Sequence, residues 1–204
     1  MPILSWCNTC PVFKRSSKNR RVRKADRFSH FTLEANIDDW VAWAVNANID
    51  PSIVSFLRYR PQLLSDADAT QNAFPTPRAW DYVSRKLPFM SDEFYGVASL
   101  VGDGPAGEYI AFKQIYTQVP AIEDIIDKPT TTKVPEGTSV LYAICGALTG
   151  IVDEHNFEAV MKYTKRMPPE YQVIVVRDSL AKDRSLMQTE HFTKWTAENA
   201  DVFL

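Results

Sequence analysis

Apolar residues recur every three or four positions through most of the chain beyond residue 36, and this spacing is typical of amphipathic α-helices. The first predicted helix shows the signals clearly. Asn36 is a suitable N-cap, two acidic residues follow in the first turn, and Ile37, Trp40, Val41 and Ala44 fall on one face. The pattern therefore predicts a helix that buries this face against the rest of the molecule.

Other helices are predicted from the same combination of an N-terminal signal and an apolar face. The run from Val173 to Val176 is β-branched throughout and would also suit a buried strand. We prefer a helix because two prolines and a glutamate precede the run, and Asp178, Leu180 and Lys182 continue the helical pattern. The predicted helices begin at Asp50-Pro51, at Thr76-Pro77 (to about Leu87), at Ser91, at Pro105 after a break at Gly102 and Gly104 (to about Gln118), near Pro120, near Val140, at Asp153, at Pro168-Pro169 (to about Lys182) and at Thr189.

In a single segment, the side chains alternate between two faces in the pattern of a β-strand. In residues 28–34, Phe28, His30 and Thr32 would share one face, and the residues between them would share the other. No neighbouring strand with which this segment could pair is evident in the sequence. The predicted fold class is therefore mainly α, with one short orphan strand near residues 28–34.

Charge is distributed unevenly along the chain. The 204 residues carry a net charge of −2, but residues 1–27 hold eight basic residues and one acidic residue, so this segment carries +7 and the remainder −9. A basic arm can bind nucleic acid by neutralising phosphates. Because the arm lacks interleaved aromatic residues beyond Phe13, base stacking has little support, and we interpret residues 1–24 as a solvated, disordered arm.

No apolar run approaches the roughly 20 residues that a membrane-spanning helix needs, and the N-terminus lacks the order of basic, apolar and small residues found in signal peptides. The three cysteines do not suggest a disulfide framework, so a reducing cytoplasm is the expected location. Cys7 and Cys10 resemble a thioredoxin-type redox pair but lack the strand and helix that such a pair requires. Cys145 lies in an apolar stripe, and we interpret it as a core residue. Cysteines and histidines show no metal-ligand spacing.

The most unusual charged residue is Arg78. Thr76 suits an N-cap and Pro77 the first helical position, so Arg78 falls in the first turn of its helix, at the positive end of the helix dipole. A cation is mildly unfavourable there unless it faces an anion, and helix N-termini are natural phosphate sites. Taken alone, these arguments favour a plainer interpretation, in which Arg78 pairs with Asp81 or points into water.

Several motifs together resemble the C-terminal half of MoxR-like AAA+ ATPases of bacteria and phages. Pro77-Arg78-Ala79 is similar to the sensor-2 signature in the helical lid of that family, where the arginine reaches the terminal phosphates of ATP. The resemblance runs from about Asp26 to Leu204. The other segments that carry it are residues 25–30, 38–40, 56–61, 167–172 and 199–202.

The resemblance implies a helical lid-type bundle followed by a C-terminal helical extension. Its parts would be the basic arm (1–24), a remnant of the ATPase core with its last strand (25–36), the lid-like helical domain (37–128) and the extension (129–204). Arg27 would correspond to an arginine finger that acts on the ATP of a neighbouring subunit. A basic stretch precedes Arg27 where the family has an apolar helix, and from the sequence alone Arg27 is one more solvated basic residue.

Two further arginines, Arg58 and Arg60, flank Tyr59 ahead of Pro61. A guanidinium is permanently charged and can bind phosphate or carboxylate oxygens through two parallel hydrogen bonds. These arginines could therefore contact a phosphate or a neighbouring subunit. Alternatively, they could pair with carboxylates inside the helical domain, and the sequence leaves both possibilities open.

The parts of an ATPase that hold the nucleotide are not evident in this sequence. None of its seven glycines is followed by the Lys-Ser or Lys-Thr of a P-loop, and no apolar strand ends in an acidic pair that could hold magnesium. We therefore expect no ATP hydrolysis by this chain alone. ATP and Mg would act only through a P-loop core, as in a truncated gene or one piece of a split ATPase.

Two functional hypotheses follow. In the first, the chain is a lid/sensor-2 fragment that contributes to ATP-dependent protein remodelling. The resemblance then implies an ATPase core or homologous subunits of a hexameric ring as partners, together with a von Willebrand factor A-type protein. In the second, the chain is a stand-alone helical interaction protein whose basic arm binds nucleic acid or an acidic partner. Neither hypothesis involves a membrane.

Overall fold

The structure, a computed structural model, describes residues 34–66, 70–116 and 119–199. Within these ranges the chain forms ten α-helices and three 3-10 turns and contains no strand, so the fold is mainly α, as predicted. Residues 28–33 of the predicted strand lie outside the described residues, and Glu34 has no regular secondary structure. Arg27 and the basic arm with Cys7 and Cys10 also lie outside the described residues.

The helices are short and follow one another closely. They are α1 (Ile37–Asn46), α2 (Pro51–Tyr59), α3 (Pro77–Lys86), α4 (Glu93–Val101), α5 (Asp103–Tyr116), α6 (Ile122–Asp127), α7 (Thr138–Ile151), α8 (Phe157–Thr164), α9 (Pro169–Lys182) and α10 (Glu190–Glu198). The 3-10 turns are Pro61–Leu64, Leu87–Phe89 and Arg184–Gln188.

Local capping interactions determine where several helices begin. The Asn36 side chain accepts hydrogen bonds from two backbone N–H groups in the first turn of α1, at 2.8 and 3.2 Å. Asp50 caps α2 through a 2.8 Å bond, with Pro51 at the first helical position. Thr76 and Thr189 cap α3 and α10 in the same way, at 3.0 and 3.3 Å. Each cap satisfies a backbone donor that the helix itself leaves unpaired, and each was predicted from the sequence.

Two details of the region around α4 differ from the sequence prediction. Asp92, rather than Ser91, is the N-cap of α4, and its Oδ1 accepts a hydrogen bond from the Tyr95 N–H at 3.1 Å. Serine and aspartate cap equally well, so composition could not separate these neighbours. Only Gly102 interrupts the chain between α4 and α5, where its φ of 88° favours glycine. Gly104, predicted to break the chain as well, is the second residue of α5.

Two further segments were ambiguous or misassigned in the sequence analysis. The run from Val173 to Val176 is helical and belongs to α9, as the prolines before it indicate. Asp153, predicted to cap α8, instead organises the turn ahead of it. Its Oδ1 accepts hydrogen bonds from the backbone N–H groups of His155 and Asn156, both at 2.9 Å, and the helix begins at Phe157.

The buried side chains form two hydrophobic clusters. The first, built mainly from α1 to α5, contains Phe56, Trp80 and Tyr109, whose ring centroids lie between 5.5 and 5.9 Å apart. The second, built from α6 to α10, includes the buried Trp195. Helix α7 contributes to both, since Ala143 belongs to the first cluster and other residues of the helix to the second. The predicted division between residues 128 and 129 stays a prediction.

Candidate functional site

Arg78 lies in the first turn of α3 and is exposed to solvent. Pro77 precedes it at the first helical position, and the Thr76 side chain caps the helix. Asp81, the carboxylate considered as a partner for Arg78, forms an ion pair with Arg85 one turn farther along, with Nε and Oδ1 2.8 Å apart. Arg78 itself is exposed at the N-terminus of α3, where both its own charge and the helix dipole are positive.

An open cavity of about 230 Å³ borders this face of α3. Arg78 and Tyr82 line it from α3, Ser99 and Leu100 line it from α4, and the loop before α3 closes one side. None of the described residues that line the cavity is acidic. An anion that entered the cavity would be attracted by the permanent charge of the Arg78 guanidinium and by the positive end of the α3 dipole.

Tyr82 was missed in the sequence analysis. Tyr82 is 47 % exposed, which is high for a residue with a large aromatic side chain, and it borders the same cavity as Arg78. The signal that could have found it is its position four residues after Arg78, because residues with this spacing share one face of a helix.

Arg58 and Arg60 both pair with carboxylates of the helical structure, Arg58 in its interior and Arg60 at its surface. Arg58 forms two parallel hydrogen bonds to Asp178, both at 2.7 Å, and the two side chains are only 9 % and 7 % exposed. Arg60 lies 3.1 Å from Glu108 at the surface, with its guanidinium carbon 4.8 Å from the centre of the Tyr59 ring. The sequence left open whether these arginines contact a phosphate or a neighbouring subunit, or pair with carboxylates of the helical domain. The contacts observed are of the second kind.

A second cavity, of about 220 Å³, lies among α1, α2, α7 and α9. Its walls are mostly apolar, and two polar side chains from α9, Asp178 and Lys182, also border it. Both polar groups already have partners. Asp178 pairs with Arg58, and the Lys182 Nζ donates to the backbone oxygens of Thr149 and Gly150 at the end of α7. Since such bonds satisfy the last carbonyls of a helix, the arrangement is that of a helix cap.

The described cysteine and histidines do not form a reactive centre. Cys145 is buried, as predicted, and its Sγ lies 3.8 Å from the backbone oxygen of Tyr171. Burial raises the pKa of the Cys145 thiol, which keeps it in the unreactive protonated form. Within the described ranges, no three histidine, cysteine, aspartate or glutamate residues come together as metal ligands could.

The described helices also lack a membrane-spanning element, since none of them is both long enough and apolar enough to cross a bilayer. In comparisons with known proteins, no family model, no curated protein sequence and no solved structure matched this chain.

Proposed function

We propose that this chain acts as the lid and sensor-2 part of a MoxR-like AAA+ ATPase and closes over ATP that a P-loop core holds. The observation that supports this best is the position of Arg78, exposed in the first turn of α3 at the edge of an open cavity. A sensor arginine must reach a phosphate delivered by another domain. A guanidinium sealed inside the helical bundle could not do so.

The chemistry assigned to Arg78 is electrostatic. During phosphoryl transfer, negative charge is distributed over the terminal phosphate oxygens, and a positioned guanidinium stabilises that charge. The rigid first turn of α3, fixed by the Thr76 cap and by Pro77, holds Arg78 in a defined position relative to the lid. Movement of the lid would then couple the presence of the terminal phosphate to remodelling of a protein client. ATP and Mg would come with the core, and the proposed location is the cytoplasm.

The proposal can be tested by mixing the purified chain with a separately expressed P-loop core from a MoxR-like ATPase. We expect the chain to bind the core and to stimulate phosphate release. Arg78→Ala should bind equally well but lose most of the stimulation, by roughly tenfold or more, because a transition-state contact is removed. Arg85→Ala is the matched control, since Arg85 lies in the last turn of the same helix and pairs with Asp81.

Two results would contradict this proposal. One is equal stimulation by wild type and Arg78→Ala. The other is an absence of any association between the chain and the core. Nucleic-acid binding that weakens with salt and disappears when residues 1–24 are deleted would instead support the second hypothesis, a helical interaction protein with a basic arm.

A further inference from the structure

Arg78 and Tyr82 place a positive charge and an aromatic ring at the edge of the same cavity. They are four residues apart in α3, which places them on one helix face about 6 Å apart along the axis. Both border the 230 Å³ cavity, and Tyr82 is 47 % exposed. A ligand that combines an anionic group with a flat ring could contact both side chains at once.

The remaining walls of the cavity suit a flat ring with polar edges. Phe74 and Leu100 supply apolar surface, and Asn72 carries both donors and an acceptor on its side chain. The Ser99 hydroxyl donates to the Gly96 backbone oxygen at 2.7 Å, which leaves its own oxygen able to accept a hydrogen bond. A nucleobase has this combination of an apolar face and a polar edge.

We propose that the base of a bound nucleotide stacks on Tyr82 while a phosphate of the same nucleotide contacts Arg78. This inference rests on the proposed function and adds a base contact to it. Stacking on an aromatic ring tolerates every base, because every base has a π-face. The site therefore distinguishes a nucleotide from a bare polyphosphate, but it distinguishes ATP from GTP only weakly.

The test is an NMR titration of the full chain with ATP, GTP and methyl triphosphate, which carries the same row of phosphates without a nucleoside. Backbone amides of residues 72–100 are followed, so that the shifts report on this cavity and not on phosphate binding by the basic arm, which physiological salt also weakens. We expect ATP and GTP to bind with similar affinity, and roughly tenfold more tightly than methyl triphosphate.

Variants separate the two contacts. Tyr82→Ala should lower the affinity for ATP to that for methyl triphosphate and leave methyl triphosphate binding unchanged, whereas Tyr82→Phe should keep the advantage of the nucleotide. Tyr95→Ala is the matched control, because Tyr95 is another exposed tyrosine, at 72 %, on the neighbouring helix α4. Arg78→Ala should weaken all three ligands.

The stacking role is overturned if ATP and methyl triphosphate bind equally, or if Tyr82→Ala leaves ATP affinity unchanged. It is also overturned if Tyr82→Ala weakens association with the ATPase core while nucleotide affinity stays the same, because Tyr82 would then contact protein. These results leave the phosphate contact of Arg78 intact. If Arg78→Ala does not weaken methyl triphosphate binding, or if no ligand shifts these amides, the nucleotide contact proposed here is overturned. The proposed function is decided separately, by whether the chain stimulates the P-loop core and whether Arg78→Ala abolishes that stimulation.

Discussion

At the scale of single residues, Arg58 and Asp178 connect parts of the molecule that lie 120 positions apart in the chain. Their bidentate ion pair joins α2, which belongs to the first hydrophobic cluster, to α9, which belongs to the second. Two buried charges are stable here because each compensates the other. When one partner is removed, an uncompensated charge is left in a site that has little access to water.

We therefore expect Arg58→Met or Asp178→Leu to lower the free energy of unfolding by about 3–5 kcal/mol, as is usual when one half of a buried ion pair is lost. The double variant Arg58→Met/Asp178→Leu should be closer to wild type than either single variant, because it leaves no unpaired charge. Urea denaturation followed by circular dichroism measures these differences.

Arg60→Met provides the control for this experiment. Its ion pair with Glu108 is about half exposed, and exposed pairs contribute at most about 1 kcal/mol. If the double variant loses the sum of the two single losses, Arg58 and Asp178 contribute independently, and their role as a coupled buried pair is wrong.

At the scale of helices, Gly146 determines how closely α2 and α7 approach. A Cβ atom added at Gly146 would lie 1.9 Å from the Ser55 Oγ and 2.9 Å from the Pro51 backbone oxygen. The serine side chain could rotate away only by giving up its 2.8 Å hydrogen bond to Pro51. The backbone oxygen could not move without shifting α2 itself.

Gly146→Ala should therefore destabilise the protein by about 1–3 kcal/mol through overpacking, although alanine has the higher helix propensity. Gly104→Ala is the matched control, because Gly104 is exposed near the start of α5 and nothing lies within 4 Å of the added Cβ. It should stabilise by about 0.4–1 kcal/mol. Thermal unfolding compares the two variants, and equal stabilisation by both would contradict the close contact of α2 and α7.

The helices were largely predictable because their signals are local. The capping side chains of Asn36 and Thr76 lie within three residues of the backbone groups they satisfy, so the sequence alone carries the relevant chemistry. The single-residue error at Ser91 arose where two neighbours cap equally well. The partnership of Arg58 with Asp178 depends on packing between distant helices, and no local pattern specifies it.

The candidate site was predictable only in part. The position of Arg78 in the first turn of a helix followed from Thr76 and Pro77, whereas the phosphate role proposed for it came from a family resemblance. The cavity depends on the packing of α3 against α4, which brings Ser99 and Leu100 to its edge. Tyr82 could have been recognised only by asking which residues share the exposed face of α3 with Arg78.

At the scale of the whole molecule, the described residues from Ala35 onward belong to one compact unit. Each of the two hydrophobic clusters contains a buried tyrosine, Tyr109 in the first and Tyr163 in the second. The Tyr109 hydroxyl lies 2.9 Å from the Ser52 Oγ, and the Tyr163 hydroxyl donates to the Lys133 backbone oxygen at 3.1 Å. Because α7 packs into both clusters, we expect them to unfold together.

This coupling predicts a loss of stability at alkaline pH. Burial raises the pKa of Tyr163 to about 12, and burial also raises the pKa of Tyr109. An unfolded tyrosine has a pKa of about 10, so both groups favour the folded state while they are protonated. Their contribution is complete below about pH 10 and is lost as the pH rises through the folded-state value of about 12. Urea midpoints measured from neutral pH to about pH 12 should therefore fall in this range.

Tyr163→Phe isolates the contribution of one cluster. At neutral pH it should cost about 1 kcal/mol for the lost hydrogen bond to Lys133, and at alkaline pH the difference from wild type should shrink or reverse, because phenylalanine has no proton to lose. If the clusters unfold together, circular dichroism and the absorbance of ionised tyrosine should report one transition in both proteins. Two separate transitions, with the midpoint of only one of them changed by Tyr163→Phe, would mean that α7 does not couple the clusters and that the two clusters unfold independently.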